Sequence, residues 1–331
     1  MTSLIALPMI TLLTGLALAI PRLTPPTVPF GVRVAAVRAK DPAILRVRQT
    51  YMFRVAVAAM IALVVCLVAY DNVIVAGIFA NALIAIHGVI YALANRQLRA
   101  IKRQEWWQAE HRYGVTTDIT FRTDPVRVPV LWLSPAVVVL LATMLLGRWD
   151  LVIPMAAMTV LMPLLVRVLM RARPVLDAAQ PVGSSRRYRT YLRGTARMML
   201  LMVAAVNLVV LLTTTPGWEI VSGVVMTAFL IGLVVWMVRV GHAGHRLRKL
   251  PGEEDEDTGL TQRDDDKHWY MGGTLYANRQ DRAVLVHHRV GMSWTLNMAH
   301  PVTWTLLAAL ALLVALAGFG VIDLPARGEG F

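Results

Sequence analysis

Long apolar runs broken by short polar stretches set the rhythm of this chain. A helix crossing a bilayer needs about 20 mostly apolar residues. Eight stretches approach that length, at roughly 3–20, 53–71, 73–94, 130–147, 149–170, 197–214, 218–239 and 302–322. The first lacks a positive n-region, carries Pro8 mid-run and is followed by Pro21-Arg22 rather than a small-residue cleavage site. It is therefore expected to be a retained helix and not a cleaved signal. The pattern predicts an all-α integral membrane bundle of about eight transmembrane helices, with a small cytoplasmic β-hairpin-containing module before the last helix. In this reading 1–94 holds helices one to three with a basic cytoplasmic loop at 21–52, and 95–129 is a cytoplasmic interfacial helix and loop. Residues 130–240 hold helices four to seven, 241–260 form an acidic linker, 261–301 the module, and 302–323 the eighth helix.

Charge then orients the bundle. Assigned alternately to two sides, the connecting segments place 31 of the 33 Lys and Arg on one side, leaving only Arg148 and Arg327 on the other. Asp and Glu divide 15 to 5 in the same sense. Basic residues in short loops stay in the cytoplasm, so both termini are expected outside a plasma membrane and the 261–301 passage inside. The net charge of +13 is thereby spent on juxtamembrane borders, where an anionic inner leaflet is the natural partner. A nucleic-acid role would need a separate basic soluble domain, and none is long enough.

The polar stretches have internal structure. Asp41-Pro42 reads as the cap and first turn of a helix leading into the second run. The sequence "RQTYMFR" (48–54) is echoed by "YRTYLR" (188–193), each before a run that pairs with the next through a short outer turn, which suggests a duplication of four spans plus four. Segment 95–113 is expected to be a helix ending at Gly114, with Trp106, Trp107 and Tyr113 as interfacial anchors. "TTDITFRTDP" (116–125) alternates like a short strand.

Familiar catalytic signatures are missing: no phosphate-cradling glycine loop, no His-Glu-x-x-His, no nucleophile-elbow serine. No catalytic residue, metal site or cofactor is assigned. Lone Cys66 sits in an apolar run and excludes an intramolecular disulfide. "GEEDEDTG" (252–259) reads as a solvated, self-repelling linker. Asp264, Asp265 and Asp266 differ because they precede a structured stretch: they either cap a helix or take up a hard cation. His242 and His245 share a helix face but lack two further convergent ligands, since His287 and His288 alternate on a strand. Within the runs the deep polar residues are Asn81, His87 and Asn207. They are expected to face the bundle, as interhelical glue or as a pathway lining. No charged residue occupies a run's centre, which argues against an ion-coupled pump.

From Gly272 the pattern turns to small β structure: "TLYA", a turn at "NRQD", "AVLVHH", and a second turn at "RVGM". Trp269 and Trp294 are placed to cover this meander and pin it to the lipid surface. The passage "DDDKHWYMGGTLYANRQDRAVLVHHRVGMSWTLNMAHP" resembles the terminal motif of an uncharacterised family of bacterial integral-membrane proteins, a domain of unknown function. The matching positions are Asp264, Asp265, Asp266, Trp269, Gly272, Tyr276, Asn278, Asp281, Val286, Arg289, Gly291, Trp294, Thr295, Asn297 and Pro301. "TVPFGVRV" (27–34) is similar to that family's first loop, while Arg279 and Arg282 stand where the pattern has prolines and Ser293 where it has glycine. The resemblance implies a remote link to membrane proteins that include immunity factors against secreted toxins.

The expected function is a non-enzymatic sensing, regulatory or immunity-type membrane protein. Its contact module to a cytoplasmic or membrane protein partner would use Asp264, Asp265, Asp266, Trp269, Tyr276, Asn278, Asp281, Arg289, Trp294 and Asn297. The alternative is a transporter of a small or amphipathic molecule using Asn81, His87 and Asn207, and the third is a membrane enzyme acting on a lipid-linked substrate.

Overall fold

A computed structural model of the chain describes residues 2–68, 73–107, 113–114, 120–253, 256–291 and 293–318. The outer turn at 70–72, the side chain of Tyr113 and the tail from 319 onward lie outside the described residues.

A helix falls on each of the eight apolar runs. They are α1 (Thr2–Leu23), α2 (Pro42–Val68), α3 (Val73–Gln104), then, after a four-residue helix α4 (Thr120–Thr123), α5 (Ser134–Leu145), α6 (Trp149–Leu169), α7 (Pro181–Thr213), α8 (Glu219–Val240) and α9 (Pro301–Gly318). Four stretches are long and apolar enough to cross a membrane by length and composition: Pro42–Val68, Trp149–Leu169, Pro181–Thr213 and Glu219–Gly244. Shorter apolar helices cover Ile10–Leu23, Val130–Leu145 and Pro301–Leu316. The α2 start follows the sequence: Asp41 Oδ1 accepts the Ala43 N–H at 2.9 Å, and Pro42 has no donor to lose.

The helices form two groups. In the first, α1, α2 and α3 pack on one another. Phe30, Tyr51 and Tyr91 meet edge-on or tilted at its end, with Phe30–Tyr51 centroids 5.1 Å apart. In the second, α5, α6 and α8 pack around α7, and Tyr188, Tyr191 and Leu192 lie at its centre. Tyr51 and Tyr191, the matching tyrosines of the two echoes, are each buried at the heart of their own group. At 1.5 Å per residue the 32-residue α3 and 33-residue α7 run about 50 Å. Both outreach a hydrocarbon core of about 30 Å.

Several sequence expectations need correction. Residues 95–104 are not a separate interfacial helix but the last turns of α3, which ends at Gln104 rather than near Gly114. Trp107 is buried in the first group's core, with its indole N–H bonded to Glu105, so only the exposed Trp106 keeps an anchor's position. The expected strand at 116–125 contains α4 instead, with 116–119 outside the described residues. The acidic linker is not wholly solvated. Glu253 pairs with Arg186 and Arg187, and Glu256 accepts the Val182 and Gly183 N–H groups at 2.7 and 2.9 Å. A carboxylate there meets the positive end of the α7 dipole.

The 261–301 passage is built from short ladders. β1 (Tyr113–Gly114) pairs in parallel with β2 (Thr261–Gln262), β3 (Trp269–Tyr270) antiparallel with β4 (Leu275–Tyr276), and β5 (Leu285–His287) antiparallel with β6 (Trp294–Leu296). The hairpin at "RVGM" thus forms, whereas "TLYA" does not pair with "AVLVHH": β4 folds back on β3 and touches β6 through a Tyr276–Asn297 bridge. Val286, Trp269 and Tyr276 make a small core of its own.

Candidate functional site: a module between two helix groups

Toward the first group, the aspartate triad is neutralised by three cations from three parts of the chain. Lys102, at the end of α3, reaches Asp264 at 2.8 Å and Asp266 at 2.7 Å. Arg33, from the loop after α1, reaches Asp265 at 3.3 Å. Arg289, from the turn after β5, pairs with both Asp265 and Asp266. Arg289 is 3% exposed, so its charge survives in the interior only through these partners. Burial alone would raise Asp265, but Arg289 and Arg33 beside it hold its carboxyl well below the usual carboxylate range. Asp266 is shifted the same way, by Arg289 and Lys102.

Backbone groups complete this network. Arg289 also donates to the Gly31 carbonyl and Lys102 to the Arg33 carbonyl, each at 2.6 Å. Asn95 donates to the Phe30 carbonyl at 2.6 Å, and Arg99 to the Trp269 carbonyl at 2.9 Å. Trp269 donates its indole N–H to Asp265 at 3.1 Å and lies under the Arg289 guanidinium. The first loop and the module touch backbone to backbone: a Cβ on Gly31 would stand 2.5 Å from the Gly272 carbonyl oxygen. Gly31 (φ +75°) and Gly272 (φ +71°) both lie in the left-handed region, so glycine is demanded twice over. Asp264 Oδ1 also accepts the Asp266 N–H at 3.0 Å, a local turn that sets the triad's geometry. With these carboxylates bonded to Lys and Arg, the triad is a set of ion-pair partners, and its capping role is confined to this one turn.

Toward the second group, the same module offers rings and a single ion pair, Asp281 with Arg173. His287 Nε2 lies 2.9 Å from the Tyr191 hydroxyl and its Nδ1 lies 2.9 Å from the His288 carbonyl. A carbonyl can only accept, so Nδ1 carries the proton and Nε2 accepts from Tyr191. His242, just past α8, packs edge-on against His287 with centroids 4.5 Å apart and donates its Nε2–H to the same His288 carbonyl. Trp294 packs on Tyr191 and His287. Burial pulls His287 down to about 4, so it is neutral at physiological pH. His242 and His287 do converge, from different elements, but each spends a nitrogen on a protein carbonyl. No group of three or more metal-ligating side chains occurs among the described residues.

Between the two faces sits a polar knot. Asn297, fully buried, donates to the carbonyls of Asn278, Asp281 and Ala283 at 2.9–3.2 Å and accepts the Asn278 and Ala299 N–H groups. The Tyr276 hydroxyl donates to Asp281 at 2.9 Å and accepts from Asn278 at 3.2 Å. Arg173, from the loop after α6, pairs with Asp281 and lies 5.2 Å from the Tyr276 ring centroid. Its backbone N–H bonds the Leu285 carbonyl at 3.1 Å, extending the hairpin toward the second group. Trp269 is buried and Trp294 half-buried, the first beside Asp265 and the second against the Tyr191–His287 pair.

The polar residues expected within the apolar runs do not gather. Asn207 is 1% exposed and donates to Thr159 at 3.1 Å, joining α7 to α6. His87 is buried on α3 with Nε2 lacking a hydrogen-bond partner among the described residues. Asn81 lies on an exposed side of α3 rather than toward the bundle, and has a polar interaction there.

Residues 279–304 match the family model described as "Family of unknown function (DUF5808)". The match covers the hairpin β5–β6 and the start of α9, including Asp281, Arg289, Trp294 and Asn297, and stops short of the aspartate triad. This supports kinship of the segment with an uncharacterised domain family. No curated protein and no solved structure matches the chain. Arg33, Lys102, Asn95, Arg173 and Tyr191 were not among the expected site residues. Arg33 lies in the "TVPFGVRV" loop, which falls outside the matched residues; Lys102 and Arg173 had no signal beyond being basic residues next to apolar runs.

Proposed function

We propose that this chain is a multi-pass plasma-membrane protein of about eight crossings, both termini outside, whose cytoplasmic 261–301 module is a clasp coupling two helix groups. Its role is non-enzymatic sensing or regulation, of the kind an immunity-type membrane protein performs: a change in one helix group is passed to the other through the clasp. The observation that carries this reading is the Arg289 network. It joins the first loop, the end of α3 and the module by ion pairs, while His287 and Arg173 hold the same module to the second group. Polar residues bonded to one another across elements rigidify the contact and fix its geometry. Asn207, which a carrier would need free, is bonded to Thr159, so no observation favours the transporter alternative.

The test is a distance. Spin labels at exposed Phe53 on α2 and exposed Val182 on α7 should report one narrow separation in membranes and a broadened or longer one in Arg289→Met. An unchanged distribution in a variant that still inserts would refute the clasp. Sidedness is checked separately: Cys66 is buried, so Gln280→Cys supplies a single accessible thiol. An impermeant maleimide should label it only after cells are opened.

A further inference from the structure

The basic face of α7 divides into two parts. Near its start, Arg186 and Arg187 pair with Glu253, and Arg189 lies 3.8 Å from Asp124. One turn on, toward the apolar half, Arg193 and Arg197 stand four residues apart on one helix face and meet no carboxylate among the described residues. Two unneutralised guanidiniums at that spacing repel one another unless an anion lies between them. Beside them opens a cavity of about 350 Å³ lined by Arg193, Arg197, Trp132, Trp236, Gly194 and Leu201, among others.

Its walls are specific. Arg197 lies 5.4 Å from the Trp132 ring centroid, which fixes the guanidinium by its flat face and leaves its edge for a ligand. On the opposite side Trp236 lies across Gly194, where a Cβ would stand 2.0 Å from the indole. The Trp236 Nε1–H is buried with no partner among the described residues. The lining is thus cationic at the exposed Arg193 and Arg197, aromatic at Trp132 and Trp236, and apolar at the half-buried Leu201.

We infer that this cavity is a site for one phosphate-bearing anionic lipid, its headgroup phosphate held by Arg193 and Arg197 and its acyl chain laid along Trp236 and Leu201. The inference rests on the membrane reading above, in which Arg197 and Trp236 stand at the cytoplasmic border of their helices. Arginine forks match phosphate oxygens in pairs, and tryptophan settles at headgroup depth. A free anion would use only the arginines, leaving the apolar part of the lining without a function.

The test uses the full chain in mixed micelles, stripped of bulk lipid and examined by native mass spectrometry. With phosphatidylglycerol present, one lipid should remain bound. Arg193→Gln/Arg197→Gln should retain at least fivefold less, and Arg248→Gln/Lys249→Gln, at exposed basic positions elsewhere, should retain as much as the parent. Phosphatidylcholine should not be retained. Glycerol 3-phosphate and inorganic phosphate, the soluble arms, should fail to displace the lipid at millimolar concentration. Equal retention by both double variants, or displacement by inorganic phosphate, would overturn the proposal. Leu201→Trp, which fills the apolar part of the lining and leaves both arginines, should also expel the lipid, so the result does not depend on one variant's folding. Resistance of the chain to alkaline extraction from membranes is scored first, since its loss would sink the membrane reading and not the site.

Discussion

The two faces of the module hold their helix groups by opposite means. Toward α1–α3 it presents formal charges, three carboxylates against Arg33, Lys102 and Arg289. Toward the second group it presents chiefly neutral rings, His287 and Trp294 against Tyr191 and His242, with one half-exposed ion pair between Asp281 and Arg173. A charged contact fixes partner and register because any one missing member leaves a buried charge alone. A ring contact is indifferent to ionic strength but depends on histidine staying neutral. The two halves of the clasp should therefore fail under different conditions, and each failure reports which half has let go.

Removing Arg289 should produce the largest effect. Arg289→Met leaves Asp265 and Asp266 without their central cation, and breaking a buried pair from one side costs about 3–5 kcal/mol. Thermal unfolding in detergent should show the loss. Adding Asp265→Asn and Asp266→Asn to that variant should recover part of it, because the orphaned charges are removed as well. Recovery in the triple variant separates ionic bonding from mere packing; a further loss would mean that the side chains matter chiefly by shape.

Acid should open the other face first. His287 has its folded value held at about 4 by burial, against an unfolded value near 6.5. The unfolded chain therefore binds more protons between these values, and stability is full above pH 6.5 and falls as pH drops toward 4, by about 3 kcal/mol in all. The Asp265 and Asp266 carboxyls, depressed in the fold, add their own loss only as pH falls below about 4. His287→Gln should flatten the upper part of the stability–pH curve and leave the lower part. His242, His245 and His288 are also lowered by burial, so some slope below pH 6.5 should survive that substitution.

How much of this was legible in the sequence follows from the range of the interactions. The helices were, because each apolar run is a local property: α6 (Trp149–Leu169) and α8 (Glu219–Val240) lie within a residue or two of their expected bounds. The ends of α3 and α7 were not, since both helices continue past the apolar pattern on polar residues whose partners lie far along the chain. Lys102 meets Asp264 across 162 positions, and Arg289 meets Gly31 across 258. No window along the sequence contains such pairs. The β pairing failed for a related reason: ladders of two or three residues have too little alternation to set register, and the Asn297 side chain fixes it instead. What could be read was the kinship of 279–304 with a domain family; the contact of Gly31 with Gly272 lies outside that match and comes from the fold.

Between the two faces, Asn297 tests whether they act together. Its two amide N–H groups close the 278–283 loop by reaching three carbonyls, one N–H being shared. Asn297→Ala should cost about 2 kcal/mol, since buried carbonyls left unpaired cost about 1–3 kcal/mol each before water enters. If the module is one rigid coupler, hydrogen exchange should rise at the Lys102 end of α3 and at the Tyr191 turn of α7 alike. Exchange rising at only one end would divide the clasp into two independent contacts.

The smallest expected effect sharpens the comparison most. Tyr191→Phe removes only the hydroxyl donated to His287, a change of about 1 kcal/mol. It keeps the ring against Trp294 and leaves the ion pairs untouched. With Nε2 no longer accepting a bond, the neutral ring loses support relative to the imidazolium, so the acid loss should shrink while the baseline drops. Tyr51→Phe, at the matching position of the first group, removes a bond to the Ala17 carbonyl and should cost a similar amount with no effect on the acid limb above pH 4. A pair of variants alike in stability and unlike in pH response would place histidine neutrality on one face of the clasp alone.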